Sequence, residues 1–319
     1  MSGRANSATS RSDLAPSGKN PMHALMQMLC DLGLSDPDSF ALYQPRVRDR
    51  EDVPVLRCSR SGVIVLGRID HMDIAHYGSR QGHVTIIPAQ STQPETEIRF
   101  VPLQPNDDDR RRAAAYGRIV SGRDWVDIGT GAGGILPLLA PAARSTAVVE
   151  PNASCRRVLS ENGYRCHARI SELTDAGCDV ATAFHVVEHF LDPLAELKAI
   201  RKSLRPGGSL VVEVPHARDF LLEELDCFAF RAFTLWSEHL ILHTRESLSR
   251  LLAAAGFREV VVSAIQRYPL SNHLHWLACK KAGGHHAWAW LDTPELAAAY
   301  ESALARLDRT DTLVAHVQA

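Results

Sequence analysis

No apolar run in this chain is long enough to span a bilayer. The longest, such as LVVEVP at 210–215, fall far short of the ~20 residues a spanning helix needs. Excess charge is missing too. The 35 Lys and Arg against 37 Asp and Glu leave a net charge of −2, so no global basic field argues for nucleic acid. There is no NPPY-type motif and no basic stripe with interleaved aromatics. The RDR and RRR runs at 48 and 110 are short and acid-flanked, and read as a solvated face. The seven cysteines (Cys30, Cys58, Cys155, Cys166, Cys178, Cys227 and Cys279) contain no C-x-x-C pair, which argues against a disulfide framework and a four-cysteine zinc site. Most read as small buried hydrophobes. The first twenty residues lack the apolar stretch of a signal peptide and read as a disordered leader, 1–20. With no export signal, the expected compartment is the cytoplasm. Internal repeats are also missing.

What is present falls into three further parts: an N-terminal extension (21–106), a main domain (107–282) and a helical tail (283–319). In the extension, HALMQMLCDLGL (23–34) has apolar residues at helical spacing. VPVLRCSRSGVIVL (53–66) reads as a hairpin, and 67–107 as loops and short strands. At 107, DDDRRRAAAYGRIV places acids at the start of a helix. From 124 onward strands alternate with helices: DWVDIG, ILPLLAPAA, STAVVE, SCRRVLSENG, DVATAFHV, DPLAELKAIRKSL and SLVVEVP. That rhythm predicts an α/β fold, a parallel Rossmann-like sheet with helices on both faces, plus a small N-terminal α+β extension. A long irregular insert follows 215, then the helix RESLSRLLAAAG. FREVVVSAIQ and NHLHWLACK are two more strand candidates, read as an antiparallel pair at the sheet edge. ELAAAYESALARL is a last helix.

The most informative stretch is VDIGTGAGG (126–134). Gly129, Gly131 and Gly133 let the backbone turn tightly and approach a ligand, and the helix behind them presents free N–H groups. Glu150 ends the next strand, where a carboxylate can accept hydrogen bonds from both hydroxyls of a ribose. Gly129, Gly131 and Gly134 also satisfy G-x-G-x-x-G, so the glycines alone do not separate S-adenosylmethionine (SAM) from NAD. Asp127 favours SAM, because an anion so near a pyrophosphate would repel it, whereas SAM carries an ammonium and a sulfonium.

VDIGTGAGG, then VVEPN (148–152), then FHVVEHFLDPLAELKAIRKSLRPGGSLVVEVPH (184–216) resemble the class I SAM-dependent methyltransferase family over roughly residues 110–282. The resemblance implies that Asp127, Gly129, Thr130, Gly131 and Gly133 line the methionine part of SAM. Glu150 and Pro151 would lie at the ribose, Phe184 and His185 beside the methyl group, and Ser171 and Glu172 near adenine. The stretch SEHLILHTRESLSRLLAAAGF (237–257) is similar to the tail of sugar C-methyltransferases, which implies His239 as general base with Glu238 as its partner. His216, just past the fifth strand, is a second candidate base by location. LRCSRSG (56–62) resembles the zinc knuckle that precedes those enzymes. Ser61 stands where the second cysteine would be, which predicts a metal-free relic hairpin.

His185 reads as positional. Glu188 and His189 read as the start of a helix, Glu188 favouring its positive end. His285 and His286 lack a third ligand at useful spacing, so no metal is expected. Tyr77, in HMDIAHYGSRQG, is a candidate lid over the cofactor or an ordinary loop residue. The expected function is methyl transfer from SAM to carbon or oxygen of a small molecule, a sugar or secondary metabolite, with neither nucleic acid nor membrane as partner. The oligomeric state is not legible. The alternatives are an NAD-dependent oxidoreductase and a non-catalytic protein that keeps SAM as a structural ligand.

Overall fold

The computed structural model describes residues 22–72, the backbone of 85–86 and 99–100, and 102–319. Its strands are β1 (Phe40–Gln44), β2 (Val55–Cys58), β3 (Ile64–Leu66), β4 (Thr85–Ile86), β5 (Arg99–Phe100), β6 (Asp124–Ile128), β7 (Ser145–Val149), β8 (Arg165–His167), β9 (Cys178–Phe184), β10 (Leu204–Pro215), β11 (Ile241–Leu242), β12 (Arg258–Ile265) and β13 (Thr312–Gln318). Its helices of seven residues or more are α1 (Ala24–Asp31), α2 (Asp107–Val120), α3 (Ala153–Glu161), α4 (Pro193–Ser203), α5 (Phe228–Thr234), α6 (Arg245–Ala254), α7 (Leu270–Cys279) and α8 (Pro294–Leu307).

Seven strands form the main sheet in the order β12-β13-β10-β9-β6-β7-β8. The run from β10 to β8 is parallel, and β13 is antiparallel to both of its neighbours. Parallel strands must be covered on both faces, and their side chains are accordingly near-continuously apolar. Leu197, Ile200, Leu248 and Leu251 of α4 and α6 close one face. Val120, Leu136 and Leu159, on α2, a short helical turn and α3, close the other. The expected Rossmann-like sheet with flanking helices is therefore present, and a small N-terminal sheet accompanies it. Helix α2 starts at a reciprocal cap between Asn106 and Asp109, which satisfies two otherwise free N–H groups.

Two expectations near the C-terminus need correction. Residues 272–279 lie in helix α7, with Lys280 as its left-handed cap, and not in a strand. The antiparallel partner of β12 is β13, so the tail expected to be helical ends as a strand inside the sheet. Polar residues of α7 face inward: His273 Nδ1 lies 2.7 Å from the Tyr300 hydroxyl, His275 Nδ1 lies 2.8 Å from the Lys281 carbonyl, and Asn272 Oδ1 accepts from Gly284 N at 3.2 Å. Leu274 and Leu277 are exposed.

The hairpin β2–β3 is present as expected. It belongs to a second sheet, β1-β2-β3-β11, whose last strand comes from the long insert after β10. Extension and insert thus share one core, built from α1, the hairpin, Ala217, Leu222 and residues 240–242. In the knuckle, four side chains that the sequence scatters come together. Ser35 Oγ lies 2.8 Å from Ser39 Oγ and 3.0 Å from Cys58 Sγ, Ser39 Oγ lies 3.4 Å from Cys58 Sγ, and Ser61 closes the group. Burial would raise the Cys58 thiol, but the surrounding serine hydroxyls outweigh it and bring it to about 7. Among the described residues, no helix is long and apolar enough to cross a membrane.

Removing residues 311–319 would leave β10 and β12 as two open edges in the middle of the sheet, with unpaired backbone groups on both. The truncated chain is expected to lose cooperative thermal unfolding, followed by circular dichroism. An unchanged melting temperature would show that β13 is dispensable.

Candidate active site

The carboxyl ends of β6, β7, β9 and β10 converge on one edge of the sheet, the position where open α/β sheets bind ligands. After β6 the chain turns through Gly129, Gly131 and Gly133, all at positive φ. A Cβ on Gly129 would lie 2.1 Å from Val186 Cγ2, so any side chain here must displace Val186 as well as take a left-handed backbone. A Cβ on Gly131 would meet nothing within 4 Å. The loop is therefore open on the side where a ligand would approach.

Glu150 is buried directly past β7, and one of its oxygens faces the loop while the other is held by the chain that follows. Gly131 N donates to Oε2 at 2.7 Å and Asn152 N donates to Oε1 at 2.8 Å. A carboxylate has about four acceptor sites, so lone pairs remain for two ribose hydroxyls. Pro151 follows it, with its carbonyl accepting from Arg156. Asp127 is buried within the sheet. Its Oδ1 accepts from the Thr182 hydroxyl at 2.5 Å, and Thr182 accepts from Trp125 Nε1 at 2.9 Å. Burial pushes Asp127 up to about 6 against the pull of the Thr182 and Thr130 hydroxyls. Ser171 and Glu172 lie on an exposed turn past β8, where the Glu172 carboxylate accepts from Ala168 N. Tyr77 lies outside the described residues.

The end of β9 carries a network the sequence did not reveal. Phe184 stacks on Tyr116 of α2 with ring centres 5.6 Å apart, and the Arg112 guanidinium lies 4.7 Å over its ring. His185 sits in the left-handed region at φ +54, a strained conformation held from two sides. Its Nδ1 is 3.2 Å from Glu188 Oε1 and its Nε2 is 2.6 Å from Arg267 Nη1. Arg267 in turn donates to Asp108 at 2.7 Å. Burial, then Arg267, hold the His185 imidazole well below its usual value. The ring is thus held at both nitrogens, by Glu188 and by Arg267.

Of the RRR run only Arg110 is exposed, and the other two arginines are not a solvated face. Arg111 and Arg112 both grip Glu213 of β10 at 2.8–3.0 Å, and the Tyr116 hydroxyl donates to it at 3.1 Å. Burial opposes ionisation of Glu213, but the two arginines outweigh it and hold it below the usual carboxylate range. Nor is the RDR run merely solvated: the Arg48 guanidinium lies 4.8 Å over the Trp236 ring, and Asp49 accepts from Ser237.

The histidines also sort themselves. His239 stands in the insert just before β11, with ring centres 5.1 Å from both His189 and Trp236. Glu188, His189 and His239 each bring a nitrogen or carboxylate oxygen within 4.8 Å of the others. Glu188 and His189 therefore do not open a helix: they lie on a 3-10 turn, with Glu188 fully buried. Glu238 is buried beside Arg48, and a Glu188 carboxylate oxygen lies within 4.8 Å of a His239 ring nitrogen. His216 is sealed from solvent, with Nδ1 2.9 Å from the Thr310 carbonyl and Nε2 3.9 Å from Asp308. Burial brings it down to about 4. The sequence singles out His239 by resemblance and carries an EH pair at 188–189 that reads as a helix start. The approach of His239 to it, fifty residues on, is a product of the fold.

A family model described as a methyltransferase domain matches residues 98–262. A search of curated proteins finds no match. Among solved structures, the chain is similar to a SAM-dependent methyltransferase from Archaeoglobus fulgidus: identity is 17%, 66% of this chain and 94% of that one are covered, and the TM-score is 0.46. It is also similar to the 1,6-didemethyltoxoflavin-N1-methyltransferase of Burkholderia thailandensis: identity is 16%, coverage 66% and 78%, and the TM-score 0.42.

Gly129→Ala combines a left-handed backbone with a clash and is expected to cost ~2–4 kcal/mol. Val186→Ala added to it should recover part of the loss in a denaturant titration; no recovery would exclude the clash as the cause. Asp127 gives a pH signature. Its folded value, about 6, lies above the 3.8 of an unperturbed aspartate, so between the two the folded chain holds a proton that the unfolded chain has released. The stability this residue contributes is full below the lower value and is lost as pH rises through about 6. In Asp127→Asn that slope should vanish, and the variant should gain on the wild type from about pH 4 to 6. Parallel stability profiles would place the folded value near that of a free aspartate.

Proposed function

The chain belongs to the methyltransferase-domain family and is a SAM-dependent methyltransferase, and from that premise we propose that it methylates carbon or oxygen of a small molecule, a sugar or secondary metabolite. Membership of that family displaces the oxidoreductase reading that the glycine pattern alone allowed. The observation that carries the proposal is the meeting of two halves of one edge. The open glycine loop with Glu150 lies at β6 and β7, and the Glu188–His189–His239 group, its carboxylate buried and its two imidazoles half-buried, lies past β9.

The residues present fit the cofactor. Glu150, held by Gly131 and Asn152, would take the ribose hydroxyls. Gly129, Thr130, Gly131 and Gly133 would cradle the methionine part, with Asp127 behind them as the nearest buried acid. Phe184 and His185 would flank it at the end of β9. When bound, SAM supplies an electrophilic methyl group on a sulfonium, so the protein's task is to align the acceptor and free a lone pair on it.

His239 is the residue proposed to take the acceptor's proton. Burial first, then His189 and Arg48, hold its pKa well below the usual value, so the ring is neutral near pH 7 and keeps an open lone pair. The Glu188 carboxyl within reach would steady the charged ring once formed. Glu238, the partner implied by sequence similarity, would act through Arg48 and the local backbone. The sealed position of His216 favours His239 over it.

Calorimetric titration with SAM, and with NAD in parallel, tests the cofactor half. SAM should bind and NAD should not. Glu150→Ala should weaken SAM at least about tenfold, the loss of roughly 1.4 kcal/mol of hydrogen bonding. His239→Ala should retain SAM affinity and lose turnover with sugar or metabolite acceptors; retained turnover would remove His239 from the chemistry.

A further inference from the structure

We infer that Glu188, His189 and His239 form a binding site for one divalent cation of the zinc, manganese or cobalt type, whose open position takes an oxygen of the acceptor.

Two imidazoles and one carboxylate are a donor set suited to such ions. Three protein ligands with a free fourth position are the arrangement of catalytic rather than structural centres. The three donor atoms lie within 4.8 Å of one another, a spread that small side-chain rotations close to the separations required by bonds of about 2 Å. The cluster also carries unmet bonding capacity. Glu188 Oε2 and His239 Nδ1 have no hydrogen-bond partner among the described residues, although Glu188 is fully buried. A buried carboxylate oxygen without a partner is costly, and a cation would satisfy it together with the ring nitrogen.

The surroundings support the first ligands from outside. Glu188 Oε1 is already oriented by His185 Nδ1 at 3.2 Å, and His185 by Arg267. The Thr234 carbonyl acts on the His239 ring, in the manner of the outer contacts that fix metal-bound histidines. Three guanidinium groups stand nearby, and all are engaged. Arg267 is paired with Asp108 at 2.7 Å, Arg112 with Glu213 at 2.8 Å, and Arg48 lies over Trp236 beside Asp49 and Glu238.

The inference rests on the proposed acceptor site and changes the part of His239 in it. With the cation in place the lone pair of His239 goes to the metal, and the acceptor binds through a hydroxyl or keto oxygen. A hydroxyl so bound loses its proton to water more readily, because the cation lowers its pKa. The preferred acceptors are thus oxygen-bearing molecules able to coordinate a metal.

The full chain, stripped with chelator and dialysed, would be titrated with cobalt(II) while its visible ligand-field bands are followed. One equivalent is expected to bind. In His189→Ala, His239→Ala and Glu188→Gln the affinity should fall more than about tenfold, with thermal melts confirming that each variant is folded. His285 and His286, whose rings lie 4.0 Å apart, could also attract cobalt, so the His285→Ala/His286→Ala double variant is expected to retain the signal. Undiminished binding in folded His189→Ala and His239→Ala, or a signal lost only in the double variant, would overturn the site. So would an absence of binding in a wild type that still takes up SAM. Cobalt bound through these residues in a chain that takes up no SAM would instead sink the proposed acceptor reading and leave the metal site standing.

Discussion

The buried ion cluster at Glu213 governs the geometry of the whole edge. A charge with no exposure must be paired and hydrogen-bonded to be tolerated, and Glu213 is paired with Arg111, Arg112 and Tyr116, all from α2. That requirement fixes α2 across the end of β10. Once α2 is fixed, Tyr116 and Arg112 cover Phe184, and Asp108 is presented to Arg267. Arg267 then holds His185, and His185 holds Glu188. Removing either arginine would uncover a buried carboxylate at one end of this chain of contacts and loosen the turn at its other end.

The second support comes from the small sheet. Leu240 N donates to the Glu188 carbonyl at 2.9 Å, and β11 pairs with β3. The strand that follows His239 is therefore anchored both to the 3-10 turn carrying Glu188 and His189 and to the N-terminal hairpin. The hairpin is in turn closed by Ser35, Ser39, Cys58 and Ser61 through hydroxyl and thiol hydrogen bonds. The N-terminal extension thus does more than precede the main sheet: without β3, the segment that brings His239 to Glu188 has no sheet to join.

Local chemistry was legible in the sequence and distant chemistry was not. The glycine turn, Glu150 at the end of its strand and the start of α2 depend on spacing within a few residues, and each stands where the pattern put it. Helix α7 misled because its polarity is inverted. Asn272, His273 and His275 are buried on hydrogen-bond partners while Leu274 and Leu277 face out, so apolar periodicity points to the wrong face and a strand is a natural reading. Strand β13 was missed for the opposite reason. It is a short apolar run at the chain end with no turn behind it, and only its insertion between β10 and β12 gives it a role. The arginines of α2 read as solvated because their partner, Glu213, lies a hundred residues away in the middle of an apolar strand.

Two acids on the same edge are treated in opposite ways, and the contrast says what each is for. Glu213 has every oxygen engaged and is held below the usual carboxylate range; it is compensated and acts as a structural tie. Glu188 is equally buried, yet one of its oxygens lacks a hydrogen-bond partner and burial pushes its carboxyl up to about 8. A fold able to surround Glu213 with two guanidinium groups could have satisfied Glu188 as well, since Arg267 passes on the far side of His185. Instead that arginine is committed to Asp108, and Glu188 is left facing the imidazoles of His185, His189 and His239. An arrangement that is fully compensated on one strand and open on the next is what a site needs: a rigid frame that holds a few polar atoms in place while leaving them their bonding capacity.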